Sequence, residues 1–255
     1  DFWLSCHQSS TPILIAPTTV YHRGETTSRD VTFDRQANRK YFHKKWENYV
    51  PNPDSPPVVL PDVHRTLLEA ACQVDSPVTR PEVEALSEIA VSLPDEAVLV
   101  EIGAYTGKSA LAILSGIQGT RKKLFSVDSF QDFKEAGASM SNFFPTYYKN
   151  VSNTGFSNLV PITCCQVEAA KILRSFQIRF LFVDGPHDEA GVLEGLEAFW
   201  PLLHPSAIVA FHDYENFHKA PHIAGVKRAV DKYIDSGKLQ MGRIIDSLLI
   251  CQKVA

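Results

Sequence analysis

The sequence predicts the α/β class: a doubly wound, mostly parallel sheet closed by an antiparallel last strand, with an N-terminal appendage ahead of it. Three observations carry this expectation. From Ala97 onward, short apolar runs alternate with helical segments, the pattern of a parallel sheet covered on both faces. The first run, Val98-Leu99-Val100-Glu101-Ile102, passes through Gly103 and Gly107 into a segment beginning Lys108-Ser109, the strand-turn-helix of a nucleotide-type cofactor site. The last two runs, Leu239 to Ile245 and Ser247 to Lys253, have almost nothing between them and should pair antiparallel.

Taken in order, residues 1–60 mix aromatics, charges and turn formers without sustained periodicity and end in Pro51-Asn52-Pro53-Asp54-Ser55-Pro56-Pro57, an extended, stiff stretch. They form the appendage, and 61–255 the main domain. Within the appendage, Asn38 to Val50 is expected as a helix with Tyr41, Trp46 and Tyr49 partly on one side, suited to covering a pocket or docking a second subunit. Two helices follow, at Val63 to Cys72 and Arg80 to Ser92, the second with Pro81 in its first turn. Strands are expected at 97–102, 123–128, 159–165, 178–184 and 206–212, with helices near 107–118, 143–152, 167–175, 189–203 and 223–235. Asp188 and Glu189 open a helix, where negative charge suits the dipole.

Composition bounds the function. With 255 residues and 44% apolar content the chain can bury a full core. A formal charge of −4 offers no general attraction to nucleic acid or to an anionic membrane, so the expected partner is a small molecule. No apolar run approaches the roughly 20 residues that span a bilayer. Five cysteines without C-x-x-C spacing argue against a disulfide framework or structural zinc and for a reducing, cytoplasmic setting. Cys164 and Cys165 are expected at the end of the third strand, one facing the core and one the cofactor edge. Asp1 is not a methionine, which leaves open a removed targeting segment ahead of it.

The first loop admits two ligands. Gly103 and Gly107-Lys108-Ser109 resemble a phosphate-binding G-x-x-x-x-G-K-S, but only Ala104, Tyr105 and Thr106 lie between the glycines, one residue too few for the ring of backbone N–H groups. Glu101 would also repel polyphosphate. S-adenosylmethionine fits better, because its sulfonium and ammonium are cationic and its ribose offers hydroxyls to a carboxylate. Leu124 to Asp128 reads as a second strand ending in an acid, 25 positions beyond Gly103 and near the roughly 20-residue offset of a ribose-binding acid. Glu101 and Asp128 are thus expected to form an acidic rim around a cationic donor. A dinucleotide site is disfavoured, since Tyr105 stands where the second glycine of G-x-G-x-x-G would be.

Ligands of open sheets bind beyond the carboxyl ends of the strands. That rule brings Asp184 and His187, after the fourth strand, together with His212 and Asp213, after the fifth. Two carboxylates and two imidazoles suit a divalent ion with open positions, magnesium or manganese. Tyr214 and Phe217 are candidates for stacking on an acceptor ring, and His218 and His222 for a substrate wall.

Four ordered blocks carry a family resemblance: E-I-G-A-Y-T-G-K-S-A-L-A-I, S-V-D-S-F, F-L-F-V-D-G-P-H-D-E-A-G-V-L-E-G-L and A-I-V-A-F-H-D-Y. Over roughly residues 80 to 255 the chain resembles the class I S-adenosylmethionine-dependent methyltransferases, with their Rossmann-like fold, and within them the small-molecule O-methyltransferases of the catechol and antibiotic-sugar types. It departs from them in lacking G-x-G-x-G and in carrying Pro205-Ser206-Ala207 where Pro-Gly-Gly is usual. The resemblance implies transfer of a methyl group to a hydroxyl of a sugar, phenol or natural-product intermediate, and a homodimer. It places the cofactor against Glu101, Gly103, Tyr105, Gly107 and Ser109, then Asp128 and Ser129, then Gln166 and Asp184. It assigns the metal to Asp184, His212 and Asp213, with His212 standing where an acid is usual, and the catalytic base to His187, with His212 as ligand or second base. The alternatives are a metal-independent N- or O-methyltransferase using His187 or His212, and a non-catalytic cofactor-binding scaffold.

Overall fold

A computed structural model describes residues 63–130, 143–154, 158–215 and 224–254. The expected appendage of residues 1–60, its helix at Asn38 to Val50, and Phe217, His218 and His222 lie outside the described residues. The elements are α1 (Val63–Gln73), α2 (Arg80–Ser92), β1 (Val98–Ile102), α3 (Lys108–Ile117), β2 (Lys123–Val127), α4 (Phe144–Val151), β3 (Leu159–Ile162), α5 (Gln166–Ile172), β4 (Ile178–Val183), α6 (Glu189–Phe199), β5 (Leu203–Phe211), α7 (Ala224–Asp235), β6 (Leu239–Ile245) and β7 (Leu248–Lys253).

The seven strands form one sheet in the order β3-β2-β1-β4-β5-β7-β6. β1 to β5 run parallel, and β7 enters antiparallel between β5 and β6. Strand side chains alternate between two cores. Val100, Ile102, Phe125, Val127, Leu181 and Val183 pack under α5, α6 and α7. Leu99, Leu124, Phe180, Phe182 and Ala210 pack under α1 to α4. Near-continuous apolar runs are what burial on both faces demands of a parallel strand.

α2 starts where Thr79 and Glu82 close a capping box, each side chain taking the other's backbone N–H, with Pro81 in the first turn. Three boundaries differ from expectation. β3 ends at Ile162, so Cys164 and Cys165 lie in the following turn, and Cys165 serves as the N-cap of α5. Cys164 is still buried and Cys165 exposed, but the split comes from the turn and not from strand pleat. The α6 helix gives way after Phe199 to a 3₁₀ turn, Trp200–Leu202, where Pro201 has no N–H to continue the ladder. β5 begins at Leu203, and Pro205 and Ser206 sit in a register shift against β4, between the pairs Ile178 with Leu203 and Phe180 with Ile208.

At the carboxyl edge the backbone of each loop is tied to the neighbouring strand: Gly103 N to Val127 O, Asp128 N to Ile162 O, Asp184 N to Ile102 O and His212 N to Val183 O. The strand order reverses between β1 and β4, so the loops after these strands flank the crevice where such sheets bind ligands.

Candidate active site

The loop after β1 is built around Gly103. Its φ is +88°, and a Cβ there would lie 1.9 Å from the Asp184 carbonyl oxygen, so only glycine lets the β1 and β4 loops meet. Gly107, at φ +90°, is the N-cap of α3, and Ser109 is buried in that helix's first turn. Tyr105 packs its ring on Phe143, with centroids 4.4 Å apart.

Asp128 organises this loop from below. Its Oδ2 accepts the backbone N–H groups of Ala104 (2.8 Å) and Tyr105 (2.9 Å), and its Oδ1 that of Phe130 (2.7 Å). Asp128 is buried, the residue keeping 9% exposure, and Ser129 beside it is exposed. Glu101 differs from the expected rim acid. It faces the core under α3 and α4 with no exposure at all. Ser126 Oγ donates to its Oε1, while its Oε2 has no hydrogen-bond partner. Burial pushes the Glu101 carboxyl up to about 7, eased by Ser126 and Ser109 and reinforced by the charges of Asp128 and Asp184. Tyr147 covers it, its buried hydroxyl close to Ser126 but completing no hydrogen bond. Of the two expected rim acids only Asp128 keeps any exposure, and Glu101 lies beneath the loop.

The four residues expected at the β4 and β5 loops do come together. His187 Nε2 lies 3.3 Å from Asp213 Oδ2 and 3.8 Å from Asp184 Oδ1. His212 Nδ1 lies 3.2 Å from Asp184 Oδ1 and 3.5 Å from Asp213 Oδ2. Ligand atoms of Asp184, His212 and Asp213 all fall within 4.8 Å of one another. Asp213 holds this position at φ +61°, a left-handed conformation that an Asp tolerates at a turn. Gly225 of α7 packs so closely on the His187–Glu189 backbone that a Cβ would meet His187 O at 2.4 Å, which fixes the loop carrying His187.

Electrostatics follow from this crowding. Burial favours a neutral His187, yet the hydrogen bonds and charges of Asp184 and Asp213 outweigh it and push the imidazole up to about 10. Burial likewise opposes charge on His212, and Asp184, Asp213 and Glu82 together hold its pKa well above the ordinary value. Against its own burial, Asp184 is kept below the usual carboxylate range by the charge of His212 and by the neighbouring His187.

Glu82, absent from the expected site, is the fifth member. It is fully buried in the first turn of α2, and its Oε2 lies 3.2 Å from His212 Nε2. A T-x-x-E capping box marks where α2 begins, but nothing in that motif points to a histidine 130 positions away.

Two expected residues are used elsewhere. The Gln166 carboxamide turns to α6, donating to Gly191 O at 2.7 Å, and a Cβ at Gly195 would touch its oxygen at 2.4 Å. Its Oε1 is buried without a hydrogen-bond partner. Tyr214 is 1% exposed, its hydroxyl bonded to Asp231 (2.7 Å) and Lys227 (2.7 Å), so its ring is not offered to an acceptor. Asp188 caps α6 through Gly191 N at 2.9 Å, and Glu189 pairs with Arg228 and Lys232, as a helix start requires.

Residues 100–214, which contain both active-edge loops, match a family described as a methyltransferase domain. No curated protein sequence matches the chain. Among solved structures, an O-methyltransferase from Bacillus cereus in complex with SAH superposes with a TM-score of 0.54 at 10% identity, covering 84% of this chain and 97% of that one. An SAH-bound methyltransferase from Podospora anserina gives 0.58 at 15% identity over 90% and 100%. The calicheamicin methyltransferase CalS11 gives 0.54 at 15% identity over 79% and 94%. Identities this low speak for the fold alone. Residues 100–214 thus form a methyltransferase-domain segment within a fold that the chain shares with these methyltransferase structures.

Proposed function

We propose that the chain methylates a hydroxyl of a small molecule, a sugar, phenol or natural-product intermediate, using S-adenosylmethionine and a divalent ion, magnesium or manganese. The observation that carries this reading is the convergence of Asp184, His212 and Asp213 beside a loop that Gly103 packs directly on Asp184. The donor set fits such an ion: His212 Nδ1 is buried, flanked by two carboxylate oxygens, and has no hydrogen-bond partner of its own. Asp184, His212 and Asp213 would hold the ion, which when bound supplies positive charge to stabilise a deprotonated acceptor oxygen.

The rest falls to the chain. Asp128, fixed by three backbone donors, is the acid proposed to take the ribose hydroxyls, with the exposed Ser129 beside it. The first loop, from Gly103 through Tyr105 to Gly107 and Ser109, forms the wall against which the donor lies, with Glu101 supporting it from beneath. In the transfer, an acceptor lone pair forms the new O–C bond as the C–S bond breaks, and that electron pair leaves with sulfur as a neutral thioether. Holding the two partners in line is the main task of such a site. His187 takes the hydroxyl proton once the charge on Asp184 and Asp213 is compensated; uncompensated, they keep its pKa near 10.

We also propose a homodimer in a reducing, cytoplasmic setting, with residues 1–60 as a lid or dimer contact beside the 61–255 domain. Among the described residues no helix is long and apolar enough to cross a membrane.

Formation of S-adenosylhomocysteine from a pool of small hydroxylated acceptors tests the function. Dialysis against a chelator should lower the rate at least about 100-fold, and manganese or magnesium should restore it. Undiminished turnover after chelation would establish the metal-free reading with His187 or His212 as base. Binding of the donor by calorimetry without turnover on any acceptor would establish the scaffold.

A further inference from the structure

We propose that Glu82 is a positioning residue that keeps a proton on His212 Nε2 and thereby directs Nδ1 at Asp184 and Asp213 as the nitrogen that would take the ion. The inference rests on the metal-assisted reading above and names a residue ahead of the matched 100–214 segment.

The geometry around Glu82 leaves its carboxylate one role. Oε1 accepts Ser247 N at 2.9 Å and Ser247 Oγ at 2.7 Å; Oε2 accepts Thr79 N at 2.7 Å and faces His212 Nε2 at 3.2 Å. Two of these donors are backbone N–H groups that cannot rotate away, so the carboxylate is held as an acceptor on both oxygens. An acceptor-only atom at that distance requires the proton to be on Nε2. The imidazole is buried at 2% exposure and cannot turn over without abandoning this bond.

The far nitrogen is then the informative one. Nδ1 is within 3.5 Å of both Asp184 and Asp213 oxygens, yet neither contact is aligned as a hydrogen bond. Nδ1, once an ion displaces its proton, and the two carboxylate oxygens make a facial set of ligand atoms, and a carboxylate behind the imidazole is the usual device for orienting such a ligand. Glu82 is itself fixed from two sides. Thr79 Oγ1 donates to Asp246 Oδ2 at 2.6 Å, so the start of α2, the β6–β7 turn and the end of β5 are joined through one carboxylate.

The test is Mn²⁺ affinity, read by electron paramagnetic resonance on the full chain, for the wild type and Glu82→Gln. Glutamine keeps the volume but must direct its NH₂ either at His212, which drives a proton to Nδ1, or at the two Ser247 donors. Mn²⁺ affinity should fall about 10–100-fold while S-adenosylmethionine affinity by calorimetry stays within about twofold. Equal Mn²⁺ affinity in the two proteins would overturn the role of Glu82 and leave the metal site standing. Should the variant not fold, ¹⁵N-histidine wild type loaded with ¹¹³Cd²⁺ decides. Coupling of cadmium to Nδ1 with a protonated Nε2 supports the inference; coupling to Nε2, or to neither nitrogen with cadmium bound, overturns it. Wild type that takes up neither manganese nor cadmium overturns the metal reading itself.

Discussion

Glu82 and Glu101 are both cut off from solvent, and they titrate in opposite directions. Burial works against charge at both. At Glu82 it is overcome by His212, by the Thr79 N–H and by Ser247, which bring the carboxyl down to about 2. At Glu101 one oxygen has no partner and the nearest charges, Asp128 and Asp184, are of like sign, so the carboxyl rises to about 7. The number and orientation of donors, not depth, decide whether a buried acid is ionised. Functionally, the permanent anion stands behind His212, while the acid under the cofactor loop shares a proton near neutrality.

The largest expected effect breaks the comparison on the ionised side. Glu82→Ala removes the acceptor for two backbone N–H groups and leaves the His212 charge without its rear partner. A loss of about 3–5 kcal/mol of stability is expected at pH 7, measured by chemical denaturation. The wild type should also lose a stabilisation that is present above pH about 4.5 and disappears as pH falls toward 2, and the variant should not. A loss under about 1 kcal/mol would mean that the Glu82 contacts contribute no net stability.

Next is the neutral side. Because the Glu101 carboxyl is raised from 4.5 to about 7, the folded state holds a proton that the unfolded chain releases. Its contribution is complete below pH 4.5 and is lost as pH rises through 7, up to about 3 kcal/mol. Glu101→Gln copies the protonated form. The difference in unfolding free energy between variant and wild type should grow from pH 4.5 to 7.5 in favour of the variant. A constant difference would show that Glu101 is ionised throughout.

The same contrast explains what the sequence disclosed. Strands and helices from Val98 onward were legible because burial on both faces leaves unbroken apolar runs, and Asp184, His187, His212 and Asp213 were legible because each lies within four residues of the carboxyl end of a strand. Their meeting needs only the edge rule for parallel sheets. Glu82 was not legible: its T-x-x-E motif has a complete local explanation as a cap, and its partner lies 130 positions on. Glu101 was identified as a strand-end acid, but which face it occupied depended on strand register. Gln166 and Tyr214 were placed by proximity to the edge, whereas their orientation follows from the close approach of α6 and from Asp231 of α7. Residues whose chemistry depends on direction rather than position stay hidden until the packing is known.

A smaller effect sharpens the comparison through the two serines. Ser126 donates to Glu101 and Ser247 to Glu82, each worth about 1 kcal/mol when the acid is charged. Between pH 5 and pH 8 Glu101 passes from protonated to ionised, so Ser126→Ala should cost little at pH 5 and about 1 kcal/mol more at pH 8, its carboxyl moving above 7. Glu82 remains ionised across that whole range, so Ser247→Ala should cost the same at both ends. Denaturation midpoints of the two variants at pH 5 and 8 give four numbers. A pH-dependent cost at Ser247 with a constant one at Ser126 would reverse the assignment of which buried acid carries the charge.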